Sequence, residues 1–287
     1  MKFLLRFPKG QMPKTKKSQR RVRKISEKRL FDKYDLYLKS VQSPDVDVVF
    51  FRKVYRELRK KEPKIFREDF CGTFTLSCEW VKLNPKYQAY GIDLDPEPLE
   101  YGRSHYLPRL KENQQKRVCL LEKNVLTPDL PQADIIVAMN FSYFLFKSRM
   151  MLKQYFLNVY RSVKKDGIFM LDLFGGSLCQ DANEENSKNK NFTYYWDQED
   201  FDPVTHRAKF HIHFKLKGQK KVKNVFTYDW RMWTIPEVRE ILEEVGFKKT
   251  HVYWEGTTRS GTGDGVYTRT EKGEACLAWV AYIAAEK

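Results

Sequence analysis

Cysteine is scarce and scattered. The five residues Cys71, Cys78, Cys119, Cys179 and Cys276 form no Cys-x-x-Cys pair, which speaks against a zinc knuckle or a disulfide framework and makes a reducing cytoplasm the expected home. Long apolar runs are missing too. None approaches the roughly 20 residues of a membrane span, and Met1-Lys-Phe-Leu-Leu-Arg-Phe7 is too short for the core of a signal peptide. Acidic residues are almost absent from residues 1–30, where Glu27 stands alone among twelve Lys or Arg. About +11 of the formal net charge of +16 therefore sits in that segment, and the rest of the chain is only mildly basic. Residues 1–30 read as a basic arm: Lys14–Lys24 lacks hydrophobic periodicity, which predicts mobility in isolation, and residues 9–29 are its candidate contact for RNA or a ribosome. The arm reads as a solvated tail, as a phosphate-binding contact for RNA or a ribosome, or as an organelle-targeting leader.

What is present is aromatic and patterned. With 287 residues, 15% of them aromatic, the chain has the material for one large α/β core, expected over residues 31–287. The organising stretch is Lys64 to Trp80, a short buried strand at Ile65 and Phe66, a tight turn at Gly72 and a helix over Thr73 to Val81. Such a unit brings backbone N–H groups and a helix N-terminus to the carboxyl edge of a sheet, where a nucleotide-like ligand is held. A second strand stops on Asp93, placing a carboxylate where it accepts both hydrogen bonds of a ribose diol. A helix over Val48 to Leu58 precedes these. Strands at Arg117–Glu122, Ala133–Asn140 and Ile168–Phe174 follow, with a helix over Lys153–Lys165 stopped at Lys165-Asp-Gly167. This alternation predicts a doubly wound parallel sheet.

The pattern then changes. Ser177–Asn191 reads as a loose loop, and residues 192–233 read with period two: Ala208–Leu216 alternates throughout, turns at Lys217–Lys220 and pairs with Val222–Trp230. A capped helix from Thr234 to Gly246 and strands near Thr250–Trp254 and Ala275–Ala284 complete the chain, with a glycine-rich flap at Gly256–Gly265.

Arg67-Glu-Asp-Phe-Cys-Gly-Thr73, joined to Asp93, resembles the class I S-adenosylmethionine-dependent methyltransferases, in particular a bacterial and plant branch carrying this run after its first strand. The resemblance spans roughly residues 33–285 and implies a Rossmann-like α/β fold. Its sheet is doubly wound and seven-stranded with the last strand antiparallel, and an antiparallel insert after strand five roofs the acceptor pocket. It implies S-adenosyl-L-methionine as cofactor and methyl transfer to an acceptor, more readily a small or medium-sized molecule. Cofactor contacts implied on this chain are Glu68 and Asp69 near the ammonium group, Cys71, Gly72, Asp93, Leu94, Asn124 and Val125 near the adenosine, and Tyr37 and Asn140 at the mouth. The family turn carries small residues at three alternating positions, here Phe70, Gly72 and Phe74. Phe74 departs from that pattern. Its ring either turns into the core or fills the methionine channel, and the second outcome would leave a non-enzymatic RNA- or ribosome-binding protein on the same scaffold.

The remaining candidates each carry two readings. Asn140 and Tyr143 orient an acceptor, or they cap a strand end and fill the core. Tyr34, Tyr37 and Gln42 touch ligand, or the tyrosines pack a helix onto the sheet. His211 and His213 share a strand face, but no acid stands at a metal-binding spacing, so no metal is expected and a solvated or pocket-lining face is favoured. Tyr194, Tyr195, Trp196, Phe226, Tyr228, Trp230 and Trp233 line an acceptor pocket or form core. Asp229, Arg231 and Glu255 are the charges among them to be tested for substrate contact.

Overall fold

The computed structural model describes residues 31–258 and 263–287. The basic arm and the centre of the glycine-rich flap lie outside the described residues. The elements are α1 (Lys33–Val41), α2 (Pro44–Arg59), β1 (Ile65–Asp69), α3 (Thr75–Leu83), β2 (Gln88–Asp93), α4 (Pro96–His105), α5 (Glu112–Gln115), β3 (Val118–Glu122), β4 (Ala133–Ala138), α6 (Arg149–Ser162), β5 (Val163–Gly175), β6 (Asn183–Lys188), β7 (Phe192–Asp202), β8 (Arg207–Leu216), β9 (Val222–Arg231), α7 (Ile235–Glu244), β10 (Lys249–Thr257), β11 (Gly263–Thr270) and β12 (Trp279–Glu286).

The main sheet has the order β11-β10-β12-β5-β4-β1-β2-β3. Strands β3, β2, β1, β4 and β5 run parallel, and β12 lies antiparallel between β5 and β10. This is a Rossmann-like arrangement with β12 antiparallel, as expected, extended to an eighth strand by β11. The central strand shows why the sheet is doubly wound. Ile135 and Val137 of β4 pack on one face with α2, α3 and α4, while Ile136 and Ala138 pack on the other with α6 and α7. An apolar residue at every position is what burial on both faces demands. Arg67 and Asp69 of β1 point to the α6 face, where the Arg67 guanidinium grips both Asp69 oxygens at 2.9 and 3.1 Å and the Tyr155 hydroxyl donates to the same carboxylate at 2.9 Å.

Four sequence expectations need correction. Helix α3 begins at Thr75 rather than Thr73, because Phe74 takes a left-handed conformation and acts as its N-cap. Helix α6 begins earlier than Lys153, capped by Ser148, and Lys165–Gly167 lie within β5 beyond a helix that ends at Ser162. Part of the expected loop at Ser177–Asn191 is strand β6, so the insert is a four-stranded sheet, order β6-β7-β8-β9, that starts at Asn183. Asn-Glu-Glu-Asn-Ser-Lys has no apolar residue to betray a strand, and backbone pairing with β7 at the sheet edge makes it one. The flap contributes β11, whose glycines hide its pattern in the same way.

Helix α1 packs on the inner face of the insert sheet, Leu36 joining Phe192, Tyr194, Ile212 and Phe214. Tyr101 of α4 anchors it from the other side through Asp32, at 2.6 Å. It bridges the two sheets over the carboxyl edge of the larger one. No helix among the described residues is long and apolar enough to cross a membrane.

Because Arg67 is wholly buried, Asp69→Ala leaves its charge without a counter-ion, held only by the Pro131 carbonyl. The variant is expected to lose about 3–5 kcal/mol of stability, measured by urea unfolding, with Tyr155→Phe losing about 1 kcal/mol.

Candidate active site

After Asp69 the chain turns through left-handed residues at alternating positions, Phe70 (φ 56°), Gly72 (φ 50°) and Phe74 (φ 49°). Gly72 faces open space: nothing lies within 4 Å of where its Cβ would stand. The two phenylalanines hold this conformation at a cost of about 1–2 kcal/mol each, offset by burial of their rings. Phe70 packs edge-on against Phe146 and Tyr155. Phe74 is fully buried against α4, where a Cβ on Gly102 would sit 2.3 Å from its ring and 2.6 Å from the Thr73 carbonyl oxygen. The ring thus turns into the core. Space that a small residue would leave at position 74 is supplied by the missing side chain at 102.

The turn is lashed to the tip of β2. Gly72 donates its N–H to Asp93 Oδ2 at 2.6 Å, and Asp93 Oδ1 accepts from the Asp95 amide at 2.9 Å. Partial burial pushes the Asp93 carboxyl above its ordinary value, against the pull of these bonds. Leu94 beside it is 63% exposed, open to a ligand. Cys71 is buried, its N–H given to Ile92 at 3.0 Å. Asn124 is exposed beyond β3, its Oδ1 accepting from the Leu126 amide at 2.9 Å, while Val125 is buried.

Glu68 and Asp69 leave β1 on opposite faces, so the expectation that both approach the cofactor's ammonium group needs correcting. Both Asp69 oxygens are engaged by Arg67 and Tyr155 on the α6 side. Glu68 turns to α3, where one oxygen takes the Ser77 amide at 2.9 Å and the Ser77 hydroxyl at 2.7 Å. Burial pushes its carboxyl up to about 8, in opposition to those bonds.

At the tip of β4, Asn140 and Phe141 are both left-handed, each at φ 58°. One carboxylate holds them there: Asp172 of β5 accepts the Asn140 amide at 2.8 Å and the Phe141 amide at 2.9 Å. Burial raises Asp172 to about 7 in spite of both bonds. Two adjoining pockets share Asn140, Asp172, Val41 and Tyr282. The first, with about 490 Å³ of empty space, lies between the sheet edge and the insert and is walled by Tyr37, Phe141, Tyr194, Trp196, Tyr228 and Trp230. The second, about 310 Å³, lies toward the glycine turn beside Gln42, Asp47, Leu76 and Met139.

Not every candidate reaches these pockets. Tyr143 is fully buried among Phe144 and Phe156 and lines neither, so its core reading holds and its acceptor role falls. Asp229 pairs with Lys147 and Arg207 at the surface, Arg231 lies over Trp233 and binds Glu237, and Glu255 accepts from the Gly265 amide. None of the three lines either of these two pockets. The carboxyls that do are Asp172 and Asp47, neither singled out in the sequence. A lone aspartate inside the apolar run Ile168–Phe174 was the available signal, since such a group is costly to bury without a task.

His211 and His213 face away from the pocket yet are buried rather than solvated. Acids do stand near them, supplied by neighbouring strands: Glu199 faces His211 at 2.7 Å, and Asp197 faces His213 at 2.9 Å with Glu184 close by. The Asn224 amide donates to His213 Nδ1 at 2.8 Å, so the proton belongs on Nε2, toward Asp197. With Lys221 on Glu184, the cluster is an ion-pair network whose imidazole offers no free lone pair to a metal.

No protein-family model matches the chain, and no curated protein sequence matches it. Solved structures do. An S-adenosylmethionine-dependent methyltransferase from Clostridium acetobutylicum superposes with a TM-score of 0.60 at 16% identity, over 88% of this chain and 95% of that one. The amino pentose methyltransferase CalS10 from Micromonospora echinaspora, with S-adenosylmethionine bound, gives 0.63 at 13% identity over 91% and 99%. The sugar N-methyltransferase KedS8 from a Streptoalloteichus species gives 0.57 at 14% over 93% and 98%. The chain has the class I methyltransferase fold.

Two predictions follow from the turn. Replacing a helical glycine by alanine ordinarily stabilises by about 1 kcal/mol, but Gly102→Ala drives a methyl group into Phe74 and Thr73 and is expected to destabilise by about 1–3 kcal/mol, measured by thermal unfolding. For Glu68, a folded-state value raised above the ordinary carboxylate range means that its stabilising contribution is full in acid and is lost as pH rises toward 8. The unfolding free energy of Glu68→Gln, relative to wild type, should therefore improve between pH 5 and 8 by on the order of 2 kcal/mol.

Proposed function

We propose that the protein is an S-adenosylmethionine-dependent methyltransferase whose acceptor is a small or medium-sized molecule bound between the sheet edge and the insert. The observation that carries this reading is the continuity of two pockets across Asn140 and Asp172, one bordered by Leu76 in the first turn of α3 and the other roofed by the insert.

The residues fit the cofactor. Gly72 leaves its side of the turn open, Phe74 is withdrawn into the core, and Asp93 stands at the tip of β2 with lone pairs left for a ribose diol. Asp93 would hold the ribose, Leu94 and Asn124 the adenine, and Gln42, Asp47 and Asn140 the methionine end. Bound there, S-adenosylmethionine would supply an electrophilic methyl group for an acceptor lone pair aligned in line with it. This chain's part is positioning, which supplies most of the rate in such displacements. Asn140, fixed by its backbone bond to Asp172 and lining both pockets, would orient the acceptor. Aromatic walls above it exclude water.

The neighbours named for amino pentose and sugar nitrogen support a small acceptor by analogy of fold alone. The non-enzymatic alternative loses its main support with Phe74 in the core. Contact of residues 9–29 with RNA or a ribosome remains a separate proposal, tested by whether a salt-dependent RNA affinity vanishes when residues 1–30 are deleted.

The expected result by calorimetry is micromolar binding of S-adenosylmethionine and S-adenosylhomocysteine, weakened at least about tenfold, or about 1.4 kcal/mol, in Asp93→Ala. A folded wild-type protein that binds neither overturns the reading.

A further inference from the structure

The two adjoining pockets are charged in one sense only, with Asp172 shared between them and Asp47 in the second. Among the described residues, no lysine, arginine or histidine lines either pocket, yet two carboxyl groups do. Asp172 is 7% exposed, and its bonded partners are two backbone amides. Asp47 of α2 lines the adjoining pocket, half-buried, and is raised by desolvation first and by the nearness of Asp172 second. Neither carboxyl enters an ion pair among the described residues. Carboxylates buried without counter-ions are costly, and a site that keeps one at its floor is complementary to a cation.

The walls agree. Tyr228 and Trp230 stack at 4.4 Å between centroids, Trp196 stands 6.2 Å from Trp230, and Tyr37 closes the pocket from α1. Ring faces carry negative potential, and a cage of them over a carboxylate binds ammonium and methylated ammonium groups. A second feature also awaits a ligand. Tyr194 lines the same pocket at 6% exposure, and its hydroxyl has no hydrogen-bond partner among the described residues. A buried hydroxyl left unpaired is unfavourable by about 1–3 kcal/mol, a deficit that a polar group on a bound molecule would remove.

We propose that the acceptor is an amine on an apolar or ring-shaped body, its nitrogen held by the aromatic cage with Asp172 as counter-ion and proton acceptor. The inference rests on the methyltransferase reading and names its substrate class. An amine arrives largely as ammonium, with no lone pair to offer. The proton passes from nitrogen to an Asp172 oxygen, leaving a neutral amine and a neutral carboxyl. The freed lone pair then forms the new nitrogen–carbon bond to the sulfonium methyl, whose carbon–sulfur bonding pair remains on sulfur. Positive charge returns to nitrogen, inside a cage suited to a methylated ammonium.

The test is a calorimetric titration of the full chain, preloaded with S-adenosylhomocysteine, with three probes of one shape: phenethylamine, its N,N,N-trimethylammonium derivative and 2-phenylethanol. Both cations are expected to bind at least about tenfold more tightly than the alcohol. Asp172→Asn should abolish that preference. Because Asp172 also holds the β4 tip, Tyr37→Leu serves as a second variant, expected to weaken the trimethylammonium probe about fivefold more than the alcohol. Equal or tighter binding of the alcohol overturns the proposal, as does failure of both cations to bind at about 10 mM, beyond the millimolar affinities of small fragments. It is also overturned if charge selectivity belongs to the donor alone, with S-adenosylmethionine held far more tightly than S-adenosylhomocysteine and no preference among the probes. Loss of S-adenosylhomocysteine binding, measured first and separately, would instead strike the methyltransferase reading.

Discussion

The cleft depends on one carboxylate. Asp172 accepts two successive amides from a strand tip whose residues, Asn140 and Phe141, are both left-handed. Such a pair is unfavourable by a few kcal/mol in isolation, and bonds to a charged acceptor are among the stronger single interactions a fold can make. By drawing the β4 tip toward β5, the carboxylate turns Asn140 to both pockets and sends Tyr143 back into the core. The same group forms the floor of the aromatic cavity. Structure and recognition are therefore tied to one side chain.

Around that point, each layer fixes a different wall. The parallel strands deliver β1, β2 and β4 tips to one edge because both sheet faces are covered by helices. The insert supplies the roof by alternation: Tyr194, Trp196, Ile212, Tyr228 and Trp230 face inward, and the histidine–acid network occupies the outer face. Helix α1 spans the two, pinned to α4 by Asp32 and Tyr101 and seated in the apolar face of the insert. Tyr37 thereby becomes part of the cage.

Much of this was legible in the sequence where hydrophobic period and capping chemistry agreed. The parallel core, the Thr234 cap and the alternating run Ala208–Leu216 were all readable from local pattern. Asn183–Lys188 was not, because an all-polar edge strand exists only by virtue of its neighbour's backbone. The fate of Phe74 was likewise invisible locally. It depends on Gly102, nearly thirty residues on, where the missing side chain is a packing requirement and carries no turn signal. The aromatic stripe of the insert was legible as a concentration, but its charged partner was not. Asp229, Arg231 and Glu255 sit among the aromatics in sequence, whereas Asp172 reaches them only through the fold.

The most direct test is a crystal structure of the full chain grown with S-adenosylhomocysteine. The account predicts ribose hydroxyls on Asp93, the adenine beside Leu94 and Asn124, and the thioether sulfur at the junction of the two pockets, facing Asn140 and Asp172. A ligand bound elsewhere, or a sulfur directed away from the aromatic cavity, would contradict it.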